Sequence, residues 1–290
     1  MALATDPAVD RRRLAHLALV GIALLWGSTF VLVKQALENA STLLFLTLRF
    51  WLGTAALGLL FRRQLRGRRL GPAVGPGVQV GGLLFLGYLF QTLGLRLTTP
   101  AKSGLLTGMA VVLVPVFSGL VERRWPSGRA WAGVGSAAAG LYLLAAPPGR
   151  LELGAGDLLT VICAAAFGLH IVFVGRYSPL LGAPVLAVAQ VVVAAALSLG
   201  AVFWAEPVYL RWTPFLALAL GVTGLLCTAL AFWLQTWAQQ FASPTHTALI
   251  LTLEPVFAWL TSYLVLGERL GARGGVGGVL ILAGILLAEW

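Results

Sequence analysis

Long apolar runs follow one another along almost the whole chain, and this succession fixes the solvent in which it folds. Ten runs can be marked, roughly 14–35, 42–61, 76–95, 102–121, 130–146, 157–175, 184–204, 213–236, 245–265 and 274–289. A membrane helix uses about 20 apolar residues, so ten would take about 200 and leave only short connections and tails. Of the 290 residues 59% are hydrophobic and 10% charged, against about 25% charged in soluble domains. Too few charges remain to cover a water-soluble globule. Lipid offers no partner to free backbone N–H and C=O groups, so each run must be helical. The runs do not alternate apolar with polar residues, which excludes a membrane β-barrel. The expected fold class is all-α integral membrane, with ten transmembrane helices.

The net charge is +10, but the basic residues sit in the short gaps between runs rather than on a patch suited to nucleic acid. There they set topology. With the N-terminus inside, the inner segments hold Arg11, Arg12, Arg13, five Arg between 62 and 69, Arg123, Arg124, Arg129 and Arg176. The outer ones hold Arg96, Lys102, Arg150, Arg211, Arg269 and Arg273, so the bias is 12 to 6 in favour of cytoplasmic termini. The first run follows three arginines like a signal peptide. It is longer than a signal's apolar core and ends in no small-x-small site, so it reads as a retained span. Cys163 and Cys227 lie inside apolar runs with no metal spacing and read as small buried side chains.

The two halves resemble each other at an offset of 144. Tyr88-Leu89-Phe90-Gln91-Thr92 matches Phe232-Trp233-Leu234-Gln235-Thr236, and Thr99-Pro100-Ala101-Lys102-Ser103 matches Ser243-Pro244-Thr245-His246-Thr247. A further match, Val114-Pro115-Val116-Phe117 against Glu254-Pro255-Val256-Phe257, is shifted by four residues. The Pro147-Pro148-Gly149 break falls at the join. Five spans are an odd number, so a duplicated unit enters the membrane inverted. Inverted repeats of this kind build secondary transporters with a site near the midplane.

Several motifs resemble those of the drug/metabolite transporter superfamily, in its EamA-type permease group. They are Trp26-Gly27-Ser28-Thr29-Phe30 with Lys34, Leu48-Arg49-Phe50, Ser243-Pro244 leading to Leu253-Glu254-Pro255-Val256-Phe257, and Leu266-Gly267-Glu268-Arg269. The resemblance implies two inverted five-helix EamA repeats, 14–146 and 154–289, with cytoplasmic termini in a bacterial-type inner membrane. It also implies an exporter of amino acids or other small metabolites. The first repeat departs from the second in carrying Val114 where the second has Glu254.

Glu254 sits near mid-depth of its run with Pro255 after it. An acid there normally faces a cavity or a partner, as a protonatable coupling site or as a hydrogen-bonding group at a helix break. His170, mid-run, reads as a substrate contact or as an interhelical hydrogen-bond partner. Gln91 and Gln235 each follow an aromatic by three residues, Tyr88 and Phe232, which suits an apolar substrate with a few polar groups or, equally, amide bonding from helix to helix. Trp26, Phe30 and Lys34 fall on one face at i, i+4, i+8. Trp26 is deep enough to line a cavity, and Lys34 can snorkel to the interface. Arg49 can neutralise Glu254, bind a carboxylate or sit in a structural network. Pro115 and Pro255 interrupt the fourth and ninth spans at comparable places. The candidate cavity is therefore Trp26, Tyr88, Gln91, His170, Trp233, Gln235 and Glu254, with Lys34, Arg49, Pro115 and Pro255 as structural groups. The glycines of the fifth and tenth runs suggest close intrachain packing, or a homodimer face through Gly271-x-x-x-Gly275 and Gly274-x-x-x-Gly278.

No GxxxxGK[ST], HExxH or GxSxG motif is present, so no ATP engine and no usual hydrolase mark is expected. No metal or cofactor site is expected. The expected partners are the lipid bilayer, a small-molecule substrate and protons as coupling ion. A channel, a non-transporting membrane partner and, on thin raw material, an intramembrane enzyme stand as alternatives.

Overall fold

The computed structural model describes residues 7–66, 70–123, 125–145, 154–266 and 271–289. Part of the Arg62–Arg69 gap, Arg124, the Pro147-Pro148-Gly149 join, Gly267-Glu268-Arg269 and Trp290 lie outside the described residues. The described chain is helical: α1 (Pro7–Gly27), α2 (Phe30–Ala36), α3 (Thr42–Leu60), α4 (Arg62–Leu65), α5 (Gly71–Leu97), α6 (Pro100–Gly108), α7 (Ala110–Glu122), α8 (Gly128–Ala145), α9 (Ala155–Leu181), α10 (Ala183–Ala205), α11 (Pro214–Gly221), a π-helical segment (Val222–Leu230), α12 (Ala231–Ala238), α13 (Pro244–Leu251), α14 (Glu254–Leu266) and α15 (Ala272–Glu289). No strand occurs among the described residues, only one isolated antiparallel bridge between Ala40 and Leu210.

Seven stretches of the described chain are long and apolar enough to cross a bilayer: Asp10–Ala36, Thr42–Leu60, Gly71–Leu97, Lys102–Glu122, Ala155–Leu181, Ala183–Phe203 and Pro214–Ala238. Ala272–Ala288 is a shorter apolar helix. Leu17, Leu59, Phe203, Val279 and other large apolar side chains remain exposed on these helices, as expected of surfaces that face lipid.

Interior packing brings helices far apart in sequence together. α5 lies along α9 and α10, α3 along α10 and the π-helical segment, and α8 along α15. The main core joins Phe45, Phe50, Leu84, Val191, Leu216 and Phe232, while Leu19 and Ile22 of α1 pack with Ile250, Leu253 and Ile281. Glycine permits the closest approaches. A Cβ on Gly133 would lie 2.5 Å from Gly284 O, and one on Gly284 2.5 Å from Gly133 O. Gly140 and Gly277 repeat the contact, at 2.5 and 2.6 Å. Between these pairs Ser136 Oγ donates to Leu280 O at 2.8 Å, a partner 144 residues away. In α15, Gly277 and Gly284 thus serve packing within the chain, while Gly275 and Gly278, and Gly271 before the helix, face open space.

The matched segments fold alike. Thr99 and Ser243 are N-caps followed by proline, their hydroxyls accepting from Lys102 N at 3.2 Å and His246 N at 3.3 Å. Cap plus proline is a strong helix start.

One end of the bundle is pinned by polar groups. Glu206 accepts from Thr42 N at 3.1 Å and from Leu43 N, capping α3 from the α10–α11 connection. Ser41 N donates to Tyr209 O at 3.1 Å and Arg211 N to Asn39 O at 2.7 Å. Arg96 donates to Thr42 Oγ1 at 2.6 Å and to Ala40 O at 2.8 Å. Nearby, Asp157 accepts from Thr98 Oγ1 at 2.6 Å and Gly154 N at 3.0 Å, and pairs with Lys102 Nζ at 3.4 Å.

Candidate functional site

A cavity of about 90 Å³ lies inside the bundle, room for about six waters or a small organic group. Trp26, Tyr88, Gln91, His170, Gln235 and Glu254 line it, together with Arg49 and Pro255. Trp233 does not. It packs against Phe61, ring centroids 5.5 Å apart, while its neighbour Phe232 takes the place on the cavity wall. Phe232 lies three residues before Gln235 and shares its helical face, whereas Trp233, two residues before it, turns away.

The helix carrying Trp26 also departs from the expected continuous face. It breaks at Ser28–Thr29, between α1 and α2. Trp26, Thr29 and Phe30 still line the cavity, but Lys34 does not. Its ammonium donates to Thr98 O, at the C-terminal cap of α5, at 2.5 Å. A cation there complements the helix dipole.

Arg49 is buried at 4% exposure. Its Nε donates to Thr228 Oγ1 at 2.8 Å and its Nη2 to Tyr88 Oη at 2.9 Å, and the guanidinium lies over the Tyr88 ring, 4.3 Å from its centroid. Among the described residues Arg49 forms no ion pair with Glu254, although both line the cavity. The π-helical segment serves this network: Thr228 Oγ1 donates to Thr223 O at 2.8 Å, five residues back, and Trp26 Nε1 donates to Cys227 O at 3.0 Å. π-Helical turns often mark functional sites. Nothing in the composition of 222–230 announced this one.

Tyr88 meets Phe50, Phe167 and Phe232 edge-on, at centroid distances of 5.4, 5.3 and 6.0 Å. Phe232 also meets Trp26 at 5.3 Å and His170 at 5.7 Å. Phe167, Thr107 and Thr252 line the cavity as well; only their depth in the runs could have pointed to them. His170 is 1% exposed, with Nε2 at 2.7 Å from Gln190 Oε1. Gln91 Nε2 donates to Thr107 Oγ1 at 3.3 Å. His246 bonds Ser243 Oγ and Ala288 O, both at 2.7 Å, outside the cavity lining. Both cysteines are buried and free.

The two prolines do not occupy equivalent breaks. The break between α13 and α14 directly precedes Glu254-Pro255, whereas that between α6 and α7 falls at Met109, with Pro115 inside α7. Pro115 lies inside α7, where it cannot donate to the carbonyl of Val111, a cavity-lining residue; Pro255 stands in the first turn of α14, where a missing N–H breaks no ladder bond. Glu254 opens α14, and its carboxylate has no hydrogen-bond or ion-pair partner among the described residues. No group of three or more His, Cys, Asp or Glu that could hold a metal ion occurs among the described residues.

The fold and cavity define a multi-pass membrane protein with a mainly apolar hollow that carries a few polar and charged side chains. The model of the EamA-like transporter family matches the chain twice, over residues 13–146 and 154–290, and the chain belongs to that family, within the drug/metabolite transporter superfamily. It is 36% identical over 280 residues, 96% of this chain and 87% of the relative, to an uncharacterized transporter of Archaeoglobus fulgidus. A second uncharacterized transporter of that organism is 26% identical over 294 residues, 94% of this chain and 96% of its own. One solved crystal structure covers 95% of this chain and 98% of its own with a TM-score of 0.81 at 22% identity, which shows a shared fold.

Proposed function

We propose that the chain is a secondary transporter, an exporter of small metabolites such as amino acids or drug-like compounds, working by alternating access around this cavity. Ten spans form two oppositely inserted five-helix units, 14–146 and 154–289, with both termini on the cytoplasmic face of a bacterial-type inner membrane. The observation that carries the reading is the convergence of Arg49, Tyr88 and Gln91 from the first unit with His170, Gln235 and Glu254 from the second on one hollow. Ionisable side chains buried among lipid-solvated helices are costly unless they are used. The duplicated architecture is supported by the contacts between positions 144 apart: Ser136 with Leu280, and Tyr88 with Phe232. On this reading the ten spans are the seven long stretches, α8, α13 with α14, and α15.

Without an ATP motif, transport runs on gradients. Glu254, facing the hollow without a protein partner among the described residues, supports protons as the coupling ion. Helices broken beside the cavity, as at Ser28–Thr29 and before Glu254, are a recurrent transporter device. The test is counterflow in proteoliposomes loaded with a panel of amino acids, amines and organic cations. A carrier gives saturable flux and trans-stimulation. Flux linear in concentration, without trans-stimulation, overturns the reading in favour of a channel.

A further inference from the structure

Two hydrogen-bond chains run outward from the cavity wall, and both end on a backbone carbonyl. A carbonyl only accepts, so each chain has a fixed direction. In the first, Ile171 O accepts from Gln239 Nε2 at 2.7 Å. That turns Gln239 Oε1 toward Gln235, whose Nε2 donates to it at 3.2 Å. The Gln235 amide must then present Oε1 on its other side. Gln235 is 1% exposed and lines the cavity, and its Oε1 is buried without a partner among the described residues.

In the second chain, Phe232 O accepts from Thr236 Oγ1 at 2.6 Å, and Thr236 Oγ1 accepts from Gln190 Nε2 at 2.9 Å. Gln190 Oε1 is left to accept from His170 Nε2, at 2.7 Å. A neutral imidazole protonated at Nε2 carries its acceptor at Nδ1. Among the described residues both relays therefore leave acceptors, not donors, without a partner on Gln235 and His170, two lining residues where α9 meets α12.

We propose that Gln235 and His170 form a subsite for a protonated amine, with the Glu254 carboxylate on the same cavity supplying the opposite charge. The proposal rests on the transporter reading for its ligand and deepens it by naming the ligand's head group. A buried acceptor without a donor is expensive, and an ammonium N–H meets that need. Phe232, 5.7 Å from His170, adds an aromatic neighbour that suits a cation. Arg49 is the opposite pole. Its charge lies over Tyr88 and two of its nitrogens already donate to Thr228 and Tyr88, so an amine is steered away from it to the Gln235–His170 wall.

The test uses the purified full chain and three probes sharing one aryl-ethyl body: phenethylamine, 2-phenylethanol and 3-phenylpropionate. Binding is read by intrinsic tryptophan fluorescence or calorimetry. The amine should bind about tenfold more tightly than the alcohol, the advantage of a hydrogen bond to a charged group, and the acid most weakly. Gln235→Leu should remove that preference, the amine then binding no more tightly than the alcohol. Gln239→Leu, a change outside the cavity lining, should also reduce it, because the Gln235 amide is then free to turn; melting curves check that both variants fold. An amine that does not bind, an acid that binds as well as the amine, or a preference unchanged in the folded variants overturns the subsite. Should neither variant fold, the order of the three probes on the unaltered chain decides. An amine preference in a protein whose flux does not saturate keeps the subsite and discards the carrier. Saturable counterflow without an amine preference does the reverse.

Discussion

The backbone of Gly27 lies directly on that of Glu254. A Cβ built on Gly27 would collide with the Glu254 carbonyl oxygen and sit 3.0 Å from Ala258 N. Two sequence motifs separated by more than two hundred residues, one ending α1 and one opening α14, thus share a single contact.

A side chain at position 27 must separate these helices, because the obstructing atoms are backbone. Gly27→Ala should cost about 1–3 kcal/mol, the usual range for overpacking, and Gly27→Val more. Melting temperatures in detergent check the order. Counterflow should fall in the same order, since the displaced helix carries Trp26 and Thr29 of the cavity wall.

Arg49→Lys should not preserve the site. Lysine lacks the planar fork that lets Nε reach Thr228 while Nη2 reaches Tyr88. The expected loss is about 1.5–3 kcal/mol, the range for hydrogen bonds to a charged group. Tyr88→Phe keeps the ring and removes one acceptor, so it should cost less. A double-mutant cycle of the two should show a coupling of at least about 0.5 kcal/mol; additive losses would show that the pair does not act together.

Glu254→Gln keeps the shape at the start of α14 and deletes the titrating group. The folded variant should retain binding of uncharged probes and lose proton-driven flux in vesicles. Transport with unaltered rate and pH profile would remove Glu254 from the coupling mechanism.

At the pinned end, Asp157→Ala should destabilise more than Lys102→Ala. Asp157 is buried and holds Thr98, Gly154 and Lys102, whereas the lysine side chain is 24% exposed. Removing the carboxylate orphans several donors at about 1–3 kcal/mol each, while an exposed ion pair contributes about 0–1 kcal/mol. Thermal melts of the two variants decide; equal losses would contradict this account.

The apolar runs and the cap-plus-proline starts were legible because both follow from local chemistry. The 144-residue offset was legible for the same reason, and it marks contacts as well as likeness, as Ser136 on Leu280 shows. Orientation about the helix axis was not legible. A span that is apolar all round has no polar stripe to tell the inner face from the lipid face, and for Trp233 against Phe232 only the three-residue spacing of Phe232 to Gln235 carried the distinction. The break at Ser28–Thr29 and the π-helical segment carry no proline to betray them. Lys34 read as an interfacial charge because the carbonyl it meets, on Thr98, lies 64 residues away.

The widened coil at Val222–Leu230 makes this span sensitive to length rather than to composition. Deleting one residue from the α-helical turns just before it, Pro214–Gly221, would swing everything downstream through about 100°. Phe232 and Gln235 would leave the hollow while the span still crossed the bilayer. Conservative replacements along the segment are tolerable on this view, and a single-codon gap is not.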